Sequence, residues 1–381
     1  MSLIVLLFLP FSSCLPSYTG HRRIDYLKDA NGDIIETSVF ERLELELNGA
    51  KQVIFLRGEN INNPILLHLH GGPGMPQLAR IVQNEKAERF EKYFTVCYWD
   101  QRGAGASSNM LSLKKNMTID QLVDDTKELS LFLKNLFKVE KIYLFGHSWG
   151  SYLGIRTISK HPEHYAAYIG VGQVASQRFS EKLAYRRMME HALELNDTKT
   201  MQKLSKFDVN DEKFPTLYYI STARTSILNK YGYGSTHVPS ATIDLFEPLK
   251  NFKGYTNAEK LATPPAFLNS LRSLWNPILD DVLAESIPSV QVPVLVVQGK
   301  WDYQTSYTLA KDFIERLDAP IKEFITFEDS AHSPHVEKSE EFVRNVMRFV
   351  EEHSLPFTSL QPPSSVLDSL EHVLDLKQDE L

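Results

Sequence analysis

The sequence predicts an α/β fold, in which a mostly parallel β-sheet carries helices on both faces and a helical cap is inserted. Two observations support this prediction. Short apolar runs typical of buried strands alternate with amphipathic helical patterns over much of the chain. Between residues 176 and 288 the strand pattern stops and only helical patterns remain. A helical segment is therefore expected to lie over one edge of the sheet.

Five apolar runs are predicted to be strands, and most of them end at a turn. In chain order they are residues 65–70, 94–100, 142–145, 292–297 and 324–327. Thr118 and Gln121 form a capping box that starts one helix, and apolar side chains follow at helical spacing from Leu122 to Leu136. Two further helices each carry an apolar stripe, formed by Phe267, Leu268, Leu271, Leu274 and Trp275 in the cap and by Phe342, Val343, Val346, Phe349 and Val350 near the end.

The predicted organisation is one α/β core in two parts, residues 35–175 and 289–355, with the cap at residues 176–288 between them. Residues 1–20 are predicted to be signal-like or disordered. Residues 356–381 are predicted to be a tail, because a stretch rich in serine and proline begins there. No internal repeat is visible.

Composition and charge exclude several classes of protein. A chain of 381 residues, 43% hydrophobic and 23% charged, buries a sizeable core without disulfides or a structural metal. The 41 Lys and Arg against 48 Asp and Glu give a net charge of −7 without a basic block, so nucleic acid is not an expected partner. Cys14 and Cys97 are the two cysteines, which excludes a disulfide framework and a cysteine-ligated zinc site.

The two ends carry sequence features typical of targeting signals. Residues 3–10 form an apolar run followed by Ser12-Ser13-Cys14, which resembles a secretory signal with a small-residue cleavage site. The run is shorter than the roughly 20 apolar residues of a membrane-spanning helix. Gln378-Asp379-Glu380-Leu381 is a relaxed relative of the KDEL retention signal. We therefore expect an exported protein, which is secreted, anchored to a membrane or retained in the endoplasmic reticulum lumen. If the N-terminus is not a signal, we expect a cytoplasmic protein.

The predicted nucleophile is Ser148. Gly146-His147-Ser148-Trp149-Gly150 fits G-x-S-x-G and lies directly between an apolar strand and a helical pattern. This strand-turn-helix context is typical of a nucleophile elbow, a sharp turn that exposes the serine oxygen above the helix N-terminus. The glycines flank the serine because larger side chains would collide where strand and helix cross. His147 is expected to be structural.

A glycine-rich loop after the first predicted strand is the candidate oxyanion hole. Its sequence is His70-Gly71-Gly72-Pro73-Gly74. Acyl transfer needs N–H donors aimed at the developing oxyanion, and glycine leaves its backbone N–H group accessible. We expect the N–H groups of Gly72 and Trp149 to be the two donors. The glycine spacing does not fit a dinucleotide site, and no Gly-Lys-Ser/Thr follows for a phosphate loop.

The acid and base are expected after the last two predicted strands. Asp302 and His332 each follow a strand after a short turn, so both would reach the sheet edge where Ser148 lies. A serine hydroxyl needs an imidazole base, which needs a carboxylate to fix its tautomer. His335 competes with His332 as the base, and Asp329 competes with Asp302 as the acid.

Three motifs, in this order and at plausible spacing, look like those of the proline iminopeptidase family of α/β-hydrolases. They are His70-Gly71-Gly72-Pro73-Gly74, Asp100-Gln101-Arg102-Gly103-Ala104-Gly105-Ala106-Ser107 and Gly146-His147-Ser148-Trp149-Gly150-Ser151. The resemblance covers roughly residues 48–353. It implies an α/β-hydrolase core with a helical cap, a triad of Ser148, Asp302 and His332, and no cofactor. It also implies release of an N-terminal residue, often proline, from a peptide.

That family binds the free amine of its substrate with acidic residues of the cap. No cap motif here matches theirs, and Glu181, Glu190 and Glu194 are candidates by location only. Asp100 and Arg102 are expected to brace the loop around the site rather than to act in catalysis.

The sequence therefore predicts a serine hydrolase that forms an acyl-enzyme on a small peptide, ester or amide substrate. An aminopeptidase resembling proline iminopeptidase is the leading hypothesis. The alternatives are an esterase or amidase of small apolar substrates and a catalytically silent binding protein of the same fold. The resemblance implies no cofactor, and no metal is expected because His332, His335 and Glu337 are poorly spaced for a metal site. The sequence does not predict the oligomeric state.

Overall fold

The computed structural model describes residues 16–83, 89–108, 117–240 and 245–353, and the structural statements below concern these residues. Their central feature is one nine-stranded sheet with the order β1-β2-β3-β5-β4-β6-β7-β8-β9. The strands are β1 (Ser17–Arg23), β2 (Val39–Leu47), β3 (Ala50–Gly58), β4 (Ile65–Leu69), β5 (Thr95–Asp100), β6 (Ile142–His147), β7 (Tyr165–Val171), β8 (Val294–Gly299) and β9 (Lys322–Phe327).

The sheet has an antiparallel edge and a parallel remainder. Strands β1, β2, β3 and β5 pair antiparallel in that order, and every pairing from β5 through β4 and β6 to β9 is parallel. The carboxyl ends of the parallel strands therefore meet at one edge of the sheet, where open α/β sheets bind ligands. The predicted fold class, a mostly parallel sheet with helices, is confirmed.

Helices connect the parallel strands and form the insertion. They are α1 (Leu78–Gln83), α2 (Ile119–Phe137), α3 (Trp149–Lys160), α4 (Gln177–Glu194), α5 (Thr198–Leu204), α6 (Leu217–Tyr219), α7 (Thr225–Lys230), α8 (Asn257–Leu279), α9 (Leu283–Ser286), α10 (Tyr307–Arg316), α11 (Pro334–Glu337) and α12 (Ser339–His353). A π-helical turn, Ile220–Arg224, joins α6 to α7. Thr118 caps α2 by accepting a hydrogen bond from the N–H of Gln121, the contact on which the predicted capping box depends.

Two hydrophobic cores lie on opposite faces of the sheet because the strand side chains alternate. In β6, Ile142 and Leu144 belong to the core that packs against α2, α3 and α10. Tyr143 and Phe145 belong to the core that packs against α12. Strands buried on both faces read as continuous apolar runs, which is why the sequence shows β6 and β8 so clearly.

Helices α4 to α9 lie between β7 and β8, in the range that the sequence predicts to be a helical cap. The part of the cap from α4 to α7 has a hydrophobic core of its own, which includes Met188, Leu204, Phe214, Tyr219 and Leu228, whereas Leu274 of α8 and Leu283 of α9 join a core of the sheet. This separate core lets the cap hold its shape above the sheet edge. It also places cap side chains opposite the turns that follow the parallel strands.

The antiparallel strands β1, β2 and β3 were not predicted. The connection of β2 to β3 is a two-residue turn at Asn48 and Gly49, which both have positive φ angles, and Asn-Gly is the strongest short hairpin signal in a sequence. Strand β1 begins at Ser17, inside the segment 1–20 that we expected to be signal-like or disordered, so that boundary is too late.

The apolar run and Cys14 at the start, and the tail with its Gln-Asp-Glu-Leu end, lie outside the described residues. Within the described ranges, no helix combines the length and apolar character needed to cross a membrane.

Candidate active site

Ser148 lies at a strained turn between β6 and α3. Its φ of 56° and ψ of −121° are unusual for a residue with a side chain. A Cβ atom on Gly146 would overlap the carbonyl oxygen of Gly150, and one on Gly150 would overlap that of Leu69. Strand and helix therefore cross as closely as the G-x-S-x-G pattern predicts. The N–H of Ser148 donates to the carbonyl of Val171 (2.9 Å), which ties the turn to β7.

His332 and Asp302 form a buried pair. The ring Nδ1 of His332 lies 2.8 Å from Oδ2 of Asp302, and Asp302 is 1% exposed. The carboxylate also accepts hydrogen bonds from Gln298 Nε2 (2.7 Å), Thr305 Oγ1 (2.9 Å) and the N–H of Gln304 (2.8 Å). These donors hold the carboxylate in place. A proton on Nδ1 shared with Asp302 leaves Nε2 of His332 as a proton acceptor.

The imidazole of His332 lies close to the serine turn. A Cβ atom on Gly172, whose φ is +56°, would lie 2.7 Å from Cε1 of His332. Gly172 directly follows Val171, which accepts the hydrogen bond from Ser148. Ser148 and His332 also line the same cavity. The fold therefore brings the predicted nucleophile, base and acid together at one end of the sheet.

The two competing residues occupy different environments. Asp329 is exposed, whereas Asp302 is buried against His332. The ring of His335 lies 6.2 Å from the ring of Phe145 and 5.9 Å from the ring of Phe342, and its Nδ1 atom has no partner among the described residues. Burial lowers the pKa of His335 to about 3, so its ring is neutral. His335 has no carboxylate partner like that of His332 in the part of the chain that the structure describes.

The glycine loop after β4 passes directly over the serine. A Cβ atom on Gly71 would lie 3.2 Å from Cβ of Ser148, so a larger residue would crowd the nucleophile. Gly72 has a φ of +122° and lines the cavity beside Ser148 and Trp149. The N–H of Trp149 is the first of α3, and the first N–H groups of a helix have no acceptor within it. Both predicted oxyanion donors are therefore located beside Ser148.

Gln101 joins the glycine loop to the residue after the serine, and sequence reasoning did not single it out. Its side-chain N–H donates to the carbonyl of His70 (3.2 Å), and its Oε1 accepts from the indole N–H of Trp149 (2.9 Å). The backbone N–H of Gln101 donates to Nε2 of His70 (3.2 Å). The only signal in the sequence was its place in the motif that begins at Asp100.

Asp100 and Arg102 brace the surrounding structure. The carboxylate of Asp100 accepts hydrogen bonds from the N–H of Ala106 (2.8 Å) and from the hydroxyl of Tyr255. Arg102 binds both carboxylate oxygens of Asp125 at 2.7 Å. Neither residue lines the cavity in the part of the chain that the structure describes. These contacts agree with a bracing role.

His147, which the sequence predicts to be structural, contacts the loop that carries His332. Its Nδ1 lies 2.7 Å from Nε2 of Gln77, and its Nε2 lies 3.2 Å from the carbonyl oxygen of His332. Burial lowers the pKa of His147 well below its usual value, so the ring is neutral. His147 therefore links the loop that carries His332 to the elbow.

Glu337 connects the loop that carries His332 to the cap, a role that its sequence position did not indicate. Its two carboxylate oxygens accept hydrogen bonds from the N–H of Ala331 (2.9 Å) and the N–H of His237 (2.6 Å). The N–H of His332 also donates to the carbonyl of Gly234 in the cap (3.2 Å). No group of three potential metal ligands forms within the described ranges.

The three acidic cap candidates do not face the cavity. Glu181 is fully buried and bound by Arg224, through Nη2 to Oε1 (2.8 Å) and through Nε to Oε2 (3.1 Å). Glu190 and Glu194 are mostly exposed on α4, beside Arg187. In the described part of the cavity wall, Glu91 is the one carboxylate, and it pairs with Arg57.

The cavity has a volume of about 470 Å³ and lies between the sheet edge and the cap. Its wall is mostly apolar, with Phe90, Phe145, Leu249, Phe267, Leu271, Trp275, Ile278 and Phe342 among the lining residues. Gln177 and Arg224 of the cap form a polar patch with Gln304, which lies between β8 and α10. The site can therefore hold an organic substrate that is largely apolar and carries a few polar groups.

Comparisons with known proteins agree with this architecture. Residues 64–339 match the model of the alpha/beta hydrolase fold family. A probable aminopeptidase, YbaC of Bacillus subtilis, is 32% identical over 81% of this chain and 96% of its own length. A proline iminopeptidase of Thermoplasma volcanium is 24% identical over 76% of this chain and 89% of its own.

Solved structures share the fold at lower sequence identity. A proline iminopeptidase of Mycobacterium smegmatis superposes with a TM-score of 0.59 at 20% identity, covering 81% of this chain and 97% of its own. An esterase of Exiguobacterium antarcticum gives a TM-score of 0.52 at 19% identity, covering 81% and 98%. At these identities the superpositions establish the fold alone.

Proposed function

The chain belongs to the alpha/beta hydrolase fold family and is a serine hydrolase, and on this premise we propose that Ser148, His332 and Asp302 are its catalytic triad. The observation that carries the proposal is the strained Ser148 elbow, which shares one cavity with the buried His332–Asp302 pair. Each residue type has the chemistry that acyl transfer requires.

In the proposed mechanism, Oγ of Ser148 attacks the substrate carbonyl while Nε2 of His332 takes its proton. Asp302 keeps the other ring nitrogen protonated and stabilises the imidazolium that forms. The N–H groups of Gly72 and Trp149 stabilise the oxyanion. His332 then protonates the leaving amine or alcohol. Water attacks the acyl-enzyme while Nε2 of His332 takes a proton from it, and His332 returns this proton to Oγ of Ser148 as the bond to the acyl group breaks and the acid product leaves.

We propose further that the enzyme is an aminopeptidase that releases the N-terminal residue of small peptides. The name of the Bacillus subtilis relative, a probable aminopeptidase that matches over nearly its whole length, supports this substrate class. The resemblance to proline iminopeptidases and the relatives of that name point the same way. The apolar cavity wall favours an apolar N-terminal residue such as proline or leucine.

An esterase or amidase of uncharged apolar substrates is the second candidate. The observation that favours it is that no carboxylate is open to the cavity: Glu91, the one carboxylate in the described wall, is paired with Arg57, and Glu181 lies outside the wall and is bound by Arg224. A buried ammonium group without a carboxylate partner would cost several kcal/mol. The described wall offers no such partner that is not already bound to an arginine.

The experiment compares a prolyl-arylamide, its N-acetylated form and a short acyl ester on one enzyme sample, with Ser148→Ala as the control. For an aminopeptidase, blocking the amine lowers kcat/KM by about a hundredfold or more, on the scale of a lost buried charge pair. Equal rates on the free and blocked amines, with faster cleavage of the ester, would contradict the aminopeptidase proposal and support the esterase. Turnover that survives Ser148→Ala would overturn the triad itself.

A further inference from the structure

Arg224 is a buried cation of the cap that lines the substrate cavity. It ends the π-helical turn between α6 and α7 and is 7% exposed. Gln177 and Gln304 lie beside it in the cavity wall. A guanidinium group placed on a substrate cavity offers rigid, directional N–H donors.

Four of the five N–H groups of this guanidinium are already engaged. Nε and Nη2 donate to the two carboxylate oxygens of Glu181 at 3.1 and 2.8 Å. Nη1 donates to the side-chain oxygen of Gln304 (3.0 Å), and Nη2 also donates to its backbone carbonyl (3.3 Å). One N–H of Nη1 has no acceptor among the described residues. Arg224 lines the cavity, and this N–H is the one guanidinium donor that the described residues leave for a substrate.

The position of this donor is fixed relative to the catalytic acid. Gln304, which holds the guanidinium on two sides, donates its own N–H to Oδ1 of Asp302 (2.8 Å). Gln177 also braces the group, since its Nε2 donates to Glu181 (2.8 Å) and to the carbonyl of Gln304 (2.9 Å). A donor held in this way is preorganised, so little conformational freedom is lost when it binds.

The charges of Arg224 and Glu181 indicate which substrate group can accept this hydrogen bond. Glu181 neutralises Arg224, so a substrate carboxylate gains little attraction there. A substrate ammonium group cannot reach Glu181, which is fully buried and not part of the cavity wall. An uncharged carbonyl oxygen needs only one N–H donor and suits a site with no net charge.

We propose that Arg224 binds an uncharged carbonyl oxygen of the substrate that lies outside the scissile bond. The inference rests on the proposed function and refines its substrate class. In a peptide with a free N-terminus, the first residue supplies only the scissile carbonyl. The additional carbonyl is therefore that of the second residue, on the leaving-group side. The enzyme then prefers peptides and peptide amides to aminoacyl-arylamides, which lack this carbonyl.

The test replaces the buried pair as a unit with the double variant Arg224→Met/Glu181→Gln. Removing both charges avoids an unpaired buried ion, and the amide oxygen introduced by Glu181→Gln still accepts a hydrogen bond from Gln177. The matched control is Arg186→Met/Glu190→Gln. This variant also removes one charge of each sign, but from the exposed face of α4, the helix that carries Glu181. Thermal unfolding verifies that both variants fold.

The substrates are prolyl-glycinamide, prolyl-glycine and prolyl-arylamide. We expect the double variant to lose roughly tenfold to a hundredfold in kcat/KM on prolyl-glycinamide, the range for a hydrogen bond from a charged donor, with the arylamide within about threefold of wild type. The control should change neither. We also expect the wild type to cleave the glycinamide at least as fast as the free acid.

Equal losses on the glycinamide and the arylamide would overturn the role of Arg224, and so would a wild-type preference of tenfold or more for the free acid. Failure of the proposed function looks different. If none of the three prolyl substrates is cleaved while an acyl ester is, the aminopeptidase proposal fails and the inference fails with it.

Discussion

At the scale of single residues, the backbone of Ser148 is the most informative feature of the site. A non-glycine residue with a φ of 56° and a ψ of −121° is held there only because the surrounding strand and helix leave no alternative. Gly71, Gly146 and Gly150 make this possible, since each lies where a side chain would collide with the turn. The strain places the hydroxyl above the N-terminus of α3 and under the glycine loop.

The first prediction concerns this residue. Ser148→Ala should reduce turnover by several orders of magnitude, because triad members act as a unit. Its thermal unfolding should match that of the wild type, since the hydroxyl of Ser148 donates no hydrogen bond to a described residue. A fluorophosphonate probe with mass-spectrometric site mapping should label Ser148 alone. Labelling elsewhere that tracks activity would show that another nucleophile operates.

The second prediction separates the two histidines. His332→Ala should be nearly as damaging as Ser148→Ala, whereas His335→Ala should lower kcat by about tenfold or less. His332 has the carboxylate partner at 2.8 Å, whereas His335 is a half-buried neutral ring that packs against Phe342. Steady-state kinetics of the two variants decides this, and the reverse order would assign the base to His335.

At the scale of elements, short polar links hold the core strands to the cap. Asp100 at the end of β5 accepts a hydrogen bond from Tyr255, just before α8. Glu337 at the end of α11 joins the His332 loop to the N–H of His237 in the cap. Through such links, and through side chains such as Tyr255 and Leu274 that belong to the cores of the sheet, the cap is held in place over the catalytic turns.

The third prediction uses the Asp100 link. Burial raises the pKa of Asp100 to about 7, well above its value in an unfolded chain. The folded state therefore holds the proton more tightly, so this group stabilises the fold below about pH 4 and its contribution declines between pH 4 and pH 7. The side chain in Asp100→Asn does not titrate. The free energy of unfolding of the wild type, relative to that of this variant, should therefore fall by roughly a few kcal/mol from pH 5 to pH 8.

Urea unfolding of wild type and Asp100→Asn at a series of pH values measures this difference. Asp329→Asn, at an exposed carboxylate, is the control, and its stability should run parallel to the wild type. A stability difference between wild type and Asp100→Asn that is constant from pH 5 to pH 8 would show that Asp100 titrates at its ordinary value.

At the scale of the whole molecule, the cavity exists because the cap covers the edge where the parallel strands end. Helix α8 contributes much of the apolar wall through Phe267, Leu271, Trp275 and Ile278. The sheet side contributes Phe145 and the turns that carry Ser148 and His332. Neither part encloses a substrate by itself, so substrate size is set by the distance between cap and sheet.

The fourth prediction tests this arrangement. Leu271→Trp should fill part of the cavity and lower kcat/KM for leucyl-arylamide by roughly tenfold or more relative to alanyl-arylamide, since a displaced apolar side chain loses its burial. Leu268→Trp is the matched control, because Leu268 lies on the same helix but is 49% exposed. Equal effects of the two variants on both substrates would show that α8 does not limit substrate size.

Much of the fold could be predicted because the signals are local. Apolar runs mark the buried strands, the N-cap residue Thr118 marks the start of α2, and paired glycines mark the elbow at Ser148. The antiparallel strands β1 to β3 escaped prediction although Asn48-Gly49 marks their hairpin, because charged residues interrupt the apolar pattern of β2 and β1 is mostly polar. The same local reasoning predicted that the candidate site residues follow apolar strands, and in the structure they follow β4, β6, β8 and β9.

By itself, then, the sequence determined the α/β class, the position of the helical insertion and the turns that carry Ser148, Asp302 and His332. The tertiary structure alone decided which polar groups meet. It places Asp302 against His332 and leaves Asp329 in solvent, and it covers Glu181 with an arginine 43 positions away. Sequence periodicity reports which face of an element is buried. The partner of a buried charge depends on how distant elements pack, because only a folded chain brings the two groups within hydrogen-bond distance.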